Sequence, residues 1–260
     1  MTPAERLERT LWDLFWLPGD ARVYQTPQMT VLHSPRPIGY LNCVVRIRLT
    51  VDRADDAIAT VGDLHAHTTS RWQITDTWDA GPVERRLEQA GYAITNDHHV
   101  RMLPVDDFHP RAAANVVVRP VRDLKTLRDC IAVAVEAFGH IGTSDEAILR
   151  DELAECTRPQ ARVHRFVVYD AATGAPISSG GLNHHPDLQL GFLWSGGTVP
   201  NARGRGAYSA LVAARVDAAR RLGIRWVGTY ARKSSSSPII GKQGFQIMGT
   251  MRYWERAAQE

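Results

Sequence analysis

From residue 115 onward the chain switches between two hydrophobic rhythms. Short apolar runs bounded by turn-forming residues read as strands: NVVVRPV from Asn115, then VHRFVVYD, APISSGGLNHH, LGFLWSGGTV, RWVGTYA and FQIMGTMRYW. Longer runs read as helices: DLKTLRDCIAVAVEAF from Asp123, a segment opened by Thr143 and Glu146 in capping-box order, a run from about Ala207, and a short piece near SPIIGKQ. The predicted order is strand, two helices, three strands, helix, strand, helix, strand. The helix from Ala207 carries Leu211, Ala214, Ala218 and Leu222 at helical spacing, with Arg220 and Arg221 in its last turn and Gly223 beyond.

The first half repeats the end of that series. Arg71 and Trp72 open RWQIT, the helical pattern PVERRLEQA follows, and Gly91 with Tyr92 precedes a strand that ends in VRML. Arg225, Trp226, Gly244 and Phe245 punctuate the second half in the same way, 19 positions from arginine to glycine against 20 in the first. A glycine and an aromatic ring after a helix also form a common helix exit, so the pattern admits both chance and duplication. With PVDDFHPRAAA as the linker, the expected domains are residues 1–110 and 111–260.

Residues 199–215, VPNARGRGAYSALVAAR, place two arginines and two glycines at the mouth of a helix. The first amides of a helix have no internal partner, and together with the helix dipole they attract anions. Gly204 and Gly206 remove side chains that would block an approaching ligand, and Arg203 and Arg205 can add charge-assisted bonds. Neither GxxxxGK[ST] nor a GxGxxG with a distant acidic residue is present, so nucleotide P-loop and Rossmann readings are disfavoured. The corresponding first-half stretch, TVDRADDAIA, holds Asp52, Asp55 and Asp56, which would repel a phosphate.

Here the sequence resembles the GNAT acyltransferase superfamily, whose acyl-CoA loop reads Q/R-x-x-G-x-G/A between a strand and a helix. NARGRG fits with Asn201 in the first place, and RGRGAY fits from Arg203 with Tyr208 where a small residue is usual. The order of elements over residues 115–254 is similar throughout, and SSSSPIIGKQGF looks like that family's later helix and Gly-Phe signature. The resemblance implies a mixed α/β fold with a central mixed sheet flanked by helices, in two copies of which the amino-terminal one is degenerate. It further implies that the backbone of Thr198 and Val199 pairs with the pantetheine arm, and that the amides of Gly204, Arg205, Gly206, Ala207 and Tyr208, with Arg203, hold the diphosphate. Ser236 is the implied later contact. Gly196 and Gly197 inside a strand read either as a bulge that aims an amide at the thioester carbonyl or as positions lacking a packing partner. The Tyr208 ring is expected to point away from the diphosphate, toward solvent or the adenine.

Catalytic residues are less legible. The strand LGFLWSGG has no carboxylate to serve as a base, and Ile240 stands where the family's frequent tyrosine acid would be, four residues before the Gly-Phe. The candidates left are His140, in the loop FGHIGTS, and Tyr230, on the strand after the motif helix; a solvated loop histidine and ordinary strand packing are the competing readings. His184 and His185 read as surface residues of a turn. His65 with His67 and His98 with His99 lack companion ligands at metal-binding spacing, so no metal is expected.

Composition changes little in this picture. A chain of 260 residues with 44% hydrophobic and 23% charged residues is ordinary for a globular protein. A net charge of +3 suits a small anionic ligand and falls short of a nucleic-acid surface. Cys43, Cys130 and Cys156 are odd in number and far apart, which fits a reducing cytoplasm, and no apolar run reaches the ~18 residues of a membrane span. The expected activity is transfer of an acetyl group from acetyl-CoA to a small-molecule amine, with a catalytically silent acyl-CoA sensor as the alternative. A homodimer is compatible with the sequence, which does not specify one.

Overall fold

The computed structural model describes residues 1–36, 38–111, 113–139 and 145–258. They form two compact units. The first comprises Met1–Arg101, Tyr230–Ile239 and the chain from Ile247 onward; the second comprises Met102–Thr229 and Ile240–Gln246. These units are drawn differently from the sequence stretches 1–110 and 111–260, because the last strand pairs within the first unit.

In the first unit, α1 (Pro3–Glu8) starts at Thr2, whose hydroxyl accepts from the Glu5 amide while Glu5 accepts from the Thr2 amide. Strands β1 (Arg22–Gln25), β2 (Thr30–His33) and β3 (Cys43–Val45) are antiparallel neighbours. Helix α2 (Val51–Leu64) then leads to β4 (Ser70–Thr75), which runs parallel to β3 with Trp72 opposite Val44. After α3 (Gly81–Gln89), Gly91 takes a left-handed φ of 82° and turns buried Tyr92 into β5 (Ala93–Pro104). The C-terminal strand β11 (Gln246–Arg256) lies between β4 and β5, its Trp254 opposite Trp72. Glu84 of α3 fastens it by accepting from Trp254 Nε1 and Arg252 Nη2, both at 2.9 Å. Trp72, Ile58, Leu87, Tyr92 and Trp254 share one core.

The second unit holds β6 (Val116–Pro120), α4 (Leu124–Phe138), α5 (Glu146–Thr157), β7 (Val163–Asp170), β8 (Pro176–His185), β9 (Leu190–Thr198), α6 (Ala207–Arg221) and the start of β10 (Trp226–Arg232). Strands β6 to β9 are antiparallel in sequence order, and β10 runs parallel to β9. A short helix, α7 (Ser236–Gly241), precedes Gly244, whose φ of 96° turns buried Phe245 inward. The pseudo-repeat is therefore structural. Each half has a parallel strand pair joined by a helix (α2 or α6), with Arg-Trp at or next to the start of the second strand (β4 or β10), and then a second helix followed by a left-handed glycine and a buried aromatic ring.

Several elements differ from the sequence reading. TVDRADDAIA, set against the glycine-arginine stretch in the sequence, forms from Val51 the body of α2, and its buried face is Ala54, Ala57, Ile58 and Val61. Because Ile58 packs in the first core, Ile58→Val is expected to cost about 1 kcal/mol in urea denaturation. The cap of α5 is Asp145, whose carboxylate accepts from the Ala147 and Ile148 amides; Thr143 lies outside the described residues. The linker stretch begins packed, with Val105 and Phe108 both buried and Val105 bonded at its amide to the Arg225 carbonyl and at its carbonyl to Arg220. On α6 the buried face runs through Ala207, Leu211, Val212, Arg215, Val216, Ala218 and Ala219, and Leu222 is exposed. The three cysteines are buried, and burial pushes the Cys43 thiol up to about 12 and the Cys156 thiol up to about 11, so neither is a nucleophile at neutral pH. Among the described residues, no helix is long and apolar enough to cross a membrane.

Candidate functional site

The second unit's distinctive geometry begins in the middle of β9. Against β8, Gly181 pairs with Trp194 and Ser179 with Gly197, so Gly180 alone faces both Ser195 and Gly196. One extra residue on β9 is a β-bulge, and Ser195 takes its strained conformation at φ 47°. Gly196 and Gly197 flank opposite faces. A Cβ on Gly196 would stand 3.2 Å from the Tyr208 ring and 3.0 Å from Arg215 Nη2, whereas one on Gly197 would stand 2.6 Å from the Phe138 ring. The bulge and close packing thus occur together, with a neighbouring side chain pressed onto each glycine.

Pairing of β9 with β10 is in register only from Leu190 to Phe192. Beyond Phe192 the edge of β9 that faces away from β8 has no registered β10 partner. Backbone groups of successive strand residues point to opposite edges. The Val199 amide donates to the Ile177 carbonyl at 3.0 Å, on the β8 side. Of the two residues expected to pair with a pantetheine arm, Val199 has therefore already spent its donor, and Thr198 is the one turned to the other edge. The Thr198 carbonyl there accepts from Arg203 Nε at 3.3 Å.

The chain next makes a tight turn at Pro200–Ala202, with Ala202 buried and Asn201 exposed, and enters the glycine-arginine corner. Gly204 and Gly206 have φ of 79° and 83°, the left-handed region where a Cβ is strained. Gly206 also sits 3.2 Å, by its missing Cβ, from the Cβ of Ala113. It is the N-cap of α6 and supplies no side-chain cap, while its carbonyl starts the helix by accepting from Ala210 at 3.0 Å. Buried Ala207 keeps the first turn small, and Ser209 is tied by Gln243 Nε2 at 2.9 Å. Arg205 leans toward Asp170 at 3.9 Å with a mostly exposed side chain, free to swing to an anion. The result is a 15-residue helix whose positive end has no side-chain cap, entered through alternating left-handed glycines.

Tyr208 corrects the sequence reading. Its ring does not lie along the helix surface toward solvent; it turns inward against Gly196, and its hydroxyl faces the guanidinium of Arg215 one face-repeat along α6. A bulky residue is accommodated near the corner because Gly196 makes room for it. Arg215 was absent from the sequence candidates. Its signal was available: a charged residue at the spacing of Tyr208 and Leu211, inside an otherwise apolar stripe.

Tyr230 and Ser236 belong to the first unit. Tyr230 is held among Gln73, Glu8, Tyr253 and Asp76; burial and the nearby carboxylates push its pKa well above the usual phenol value, so it keeps its proton and is a poorer acid. Ser236 opens α7, and Ile240 is fully packed apolar side chain, offering no hydroxyl. His140 lies outside the described residues. His185 is buried, not a surface residue, and His65 is also internal, bonded to Ser70 Oγ and the Leu32 carbonyl.

Comparison with solved structures shows that the chain shares the fold of GCN5-related N-acetyltransferases. A GCN5-related N-acetyltransferase from Kribbella flavida superposes with a TM-score of 0.75 at 13% identity, covering 98% of this chain and 96% of that one. One from Sphaerobacter thermophilus gives 0.67 at 18% identity, covering 96% and 85%. A tandem GNAT protein from the clavulanic acid biosynthesis pathway gives 0.64 at 12% identity, covering 96% and 87%. No family sequence model matches the chain, and no curated protein matches its sequence.

Proposed function

We propose that the second unit is an acyl-CoA-dependent N-acyltransferase that moves an acetyl group from acetyl-CoA to a primary amine of a small molecule. The observation that carries this reading is the α6 corner: an uncapped helix N-terminus reached through left-handed Gly204 and Gly206, directly after a bulged strand with one unregistered edge. Amides from Gly204 to Tyr208 would receive the diphosphate, with Arg203 and Arg205 closing over it, and Thr198 would bond the pantetheine arm. Charge-assisted bonds contribute roughly 1.5 to 3 kcal/mol each, so three or four reach much of the approximately 8 kcal/mol of micromolar binding before ordering costs.

The chemistry asks little of an acid. A thiol of pKa near 8.5 needs only about 2 kcal/mol of help to leave as thiolate at pH 7, which suits a site with Ile240 in place of a hydroxyl. The amine is the harder problem: holding a lysine-like amine neutral at pH 7 costs about 4.6 kcal/mol, so acceptors of lower pKa are favoured. In this proposal the first copy has lost its anion corner. Arg46 to Thr50 join β3 to α2 without a glycine, Ile47 and Leu49 turn inward, and Asp52 occupies the first turn of the helix. Buried, unreactive cysteines fit a cytoplasmic setting.

Calorimetric titration with acetyl-CoA, followed by free-thiol release across an amine panel of graded pKa, tests the reading. Binding in the micromolar range with thiol release that favours the less basic amines is the expected result. Absence of binding removes the function, and binding without release from any amine reduces the protein to an acyl-CoA sensor.

A further inference from the structure

Arg215 lies in the middle of α6 and is 1% exposed. Among the described residues its guanidinium donates to two neutral acceptors at long range: Nε to the Leu211 carbonyl at 3.3 Å and Nη1 to the Gly181 carbonyl at 3.4 Å. Nη2 has no hydrogen-bond partner among the described residues. Among the described residues, no carboxylate contributes to the shift of its pKa. Burial pulls its pKa below the usual guanidinium range, and the Tyr208 hydroxyl opposes the shift. A buried charge without a counter-ion is among the most expensive features a core can hold, and an apolar side chain of similar length would fill the same space at no such cost.

The surroundings are shaped for that charge. A Cβ on Gly180 would stand 3.1 Å from Nη1, and one on Gly196 would stand 3.0 Å from Nη2 and 3.2 Å from Nη1. The backbones of two adjacent strands are thus pressed onto the guanidinium at the bulge of β9, where Ser195 is strained. The other edge of β9 is the one that carries no registered partner beyond Phe192.

We propose that Arg215, steadied by Tyr208, is a positioning residue: its buried positive charge fixes the β9 bulge and biases the peptide groups there toward negative charge developing beside the strand. This rests on the acyltransferase reading. When the amine nitrogen adds to the thioester carbon, the carbonyl π pair moves onto oxygen; the oxyanion then re-forms the carbonyl as the C–S bond breaks, the electron pair leaves with the CoA thiolate, and the amine proton passes to solvent. Arg215 transfers nothing in these steps. It acts through the backbone it holds, in a low-dielectric position where a full charge is felt across several ångströms.

The test compares the full chain with Arg215→Met, Arg215→Lys and Tyr208→Phe, using acetyl-CoA and the best amine of the panel. For Arg215→Met the expected result is an unchanged or raised Tm, a KM for acetyl-CoA within about twofold of the parent, and a kcat lowered on the order of tenfold to a hundredfold. Arg215→Lys, which keeps the charge, should recover part of kcat, and Tyr208→Phe should fall between. An Arg215→Met protein that keeps the parental kcat overturns the inference. So does one that unfolds, or loses Tm and activity together while Arg215→Lys is equally impaired, because the arginine is then a structural pillar. A parent chain that binds acetyl-CoA with no turnover, or does not bind it, fails earlier, at the function on which the inference rests.

Discussion

Replacing Gly206 with valine is expected to abolish measurable acetyl-CoA binding while leaving most of the fold in place. Gly206 sits at φ 83°, a conformation that strains any L residue and a β-branched one most of all, and its missing Cβ faces Ala113 Cβ at 3.2 Å. Valine can enter only by rotating the peptide planes on either side, which turns the amides of residues 205–207 away from a common point. If two charge-assisted bonds are lost, at roughly 1.5 kcal/mol or more each, affinity falls by about a hundredfold or more. The readout is the thermal stabilisation that ligand confers, about 2.7 kcal/mol for the parent at a hundred times Kd, which should fall to about 0.4 kcal/mol or less for Gly206→Val at the same ligand concentration. Gly204→Asn separates conformation from bulk. Asparagine tolerates the left-handed region and Gly204 has open space within 4 Å, so its loss of affinity should be clearly smaller. Equal binding by parent and Gly206→Val would remove the corner from the proposed function.

The strands and helices of the second half were legible because each is long enough to show a period. α4, for instance, runs 15 residues behind an Asp123 cap, and β9 ends where its glycines do. The start of α6 was legible too, since Gly204 and Gly206 stand just before a run of helix formers. What escaped was short or long-range. β1, β2 and β3 have four, four and three residues, too few for alternation to stand out, and they are strands because neighbours pair with them. The placing of β11 beside β4 depends on contacts such as Arg71 with Glu255, 184 positions apart, which no local pattern encodes. Tyr208 and Arg215 failed for a related reason. Each is odd alone, and only the structure shows that the glycines of β8 and β9 make room for both.

Replacing Glu8 with alanine is expected to give the largest loss of stability in the first unit. Glu8 is 3% exposed, and its carboxylate accepts from Arg48 at 2.9 and 2.7 Å, from Thr75 at 2.8 Å and from Thr77 at 2.8 Å. Burial alone would raise its pKa; the bonds from Arg48, Thr75 and Thr77 outweigh burial and leave it below the ordinary carboxylate value. Alanine strands one guanidinium and two hydroxyls together, for which about 3 kcal/mol is expected, at the low end for broken buried pairs because Arg48 is partly solvated. The pH dependence has a definite sign. A carboxyl whose folded pKa is lowered contributes its full stability above its unfolded pKa, near 4.3, and loses it as pH falls through the folded value. Urea midpoints between pH 7 and pH 3 should therefore converge for parent and Glu8→Ala as acid removes the parent's advantage. Glu8→Gln, which keeps the shape and gives up the charge, should lie between them at pH 7 and show the weaker pH dependence. A constant gap between parent and alanine variant across that range would mean that packing, not the ionised carboxylate, holds this part of the fold.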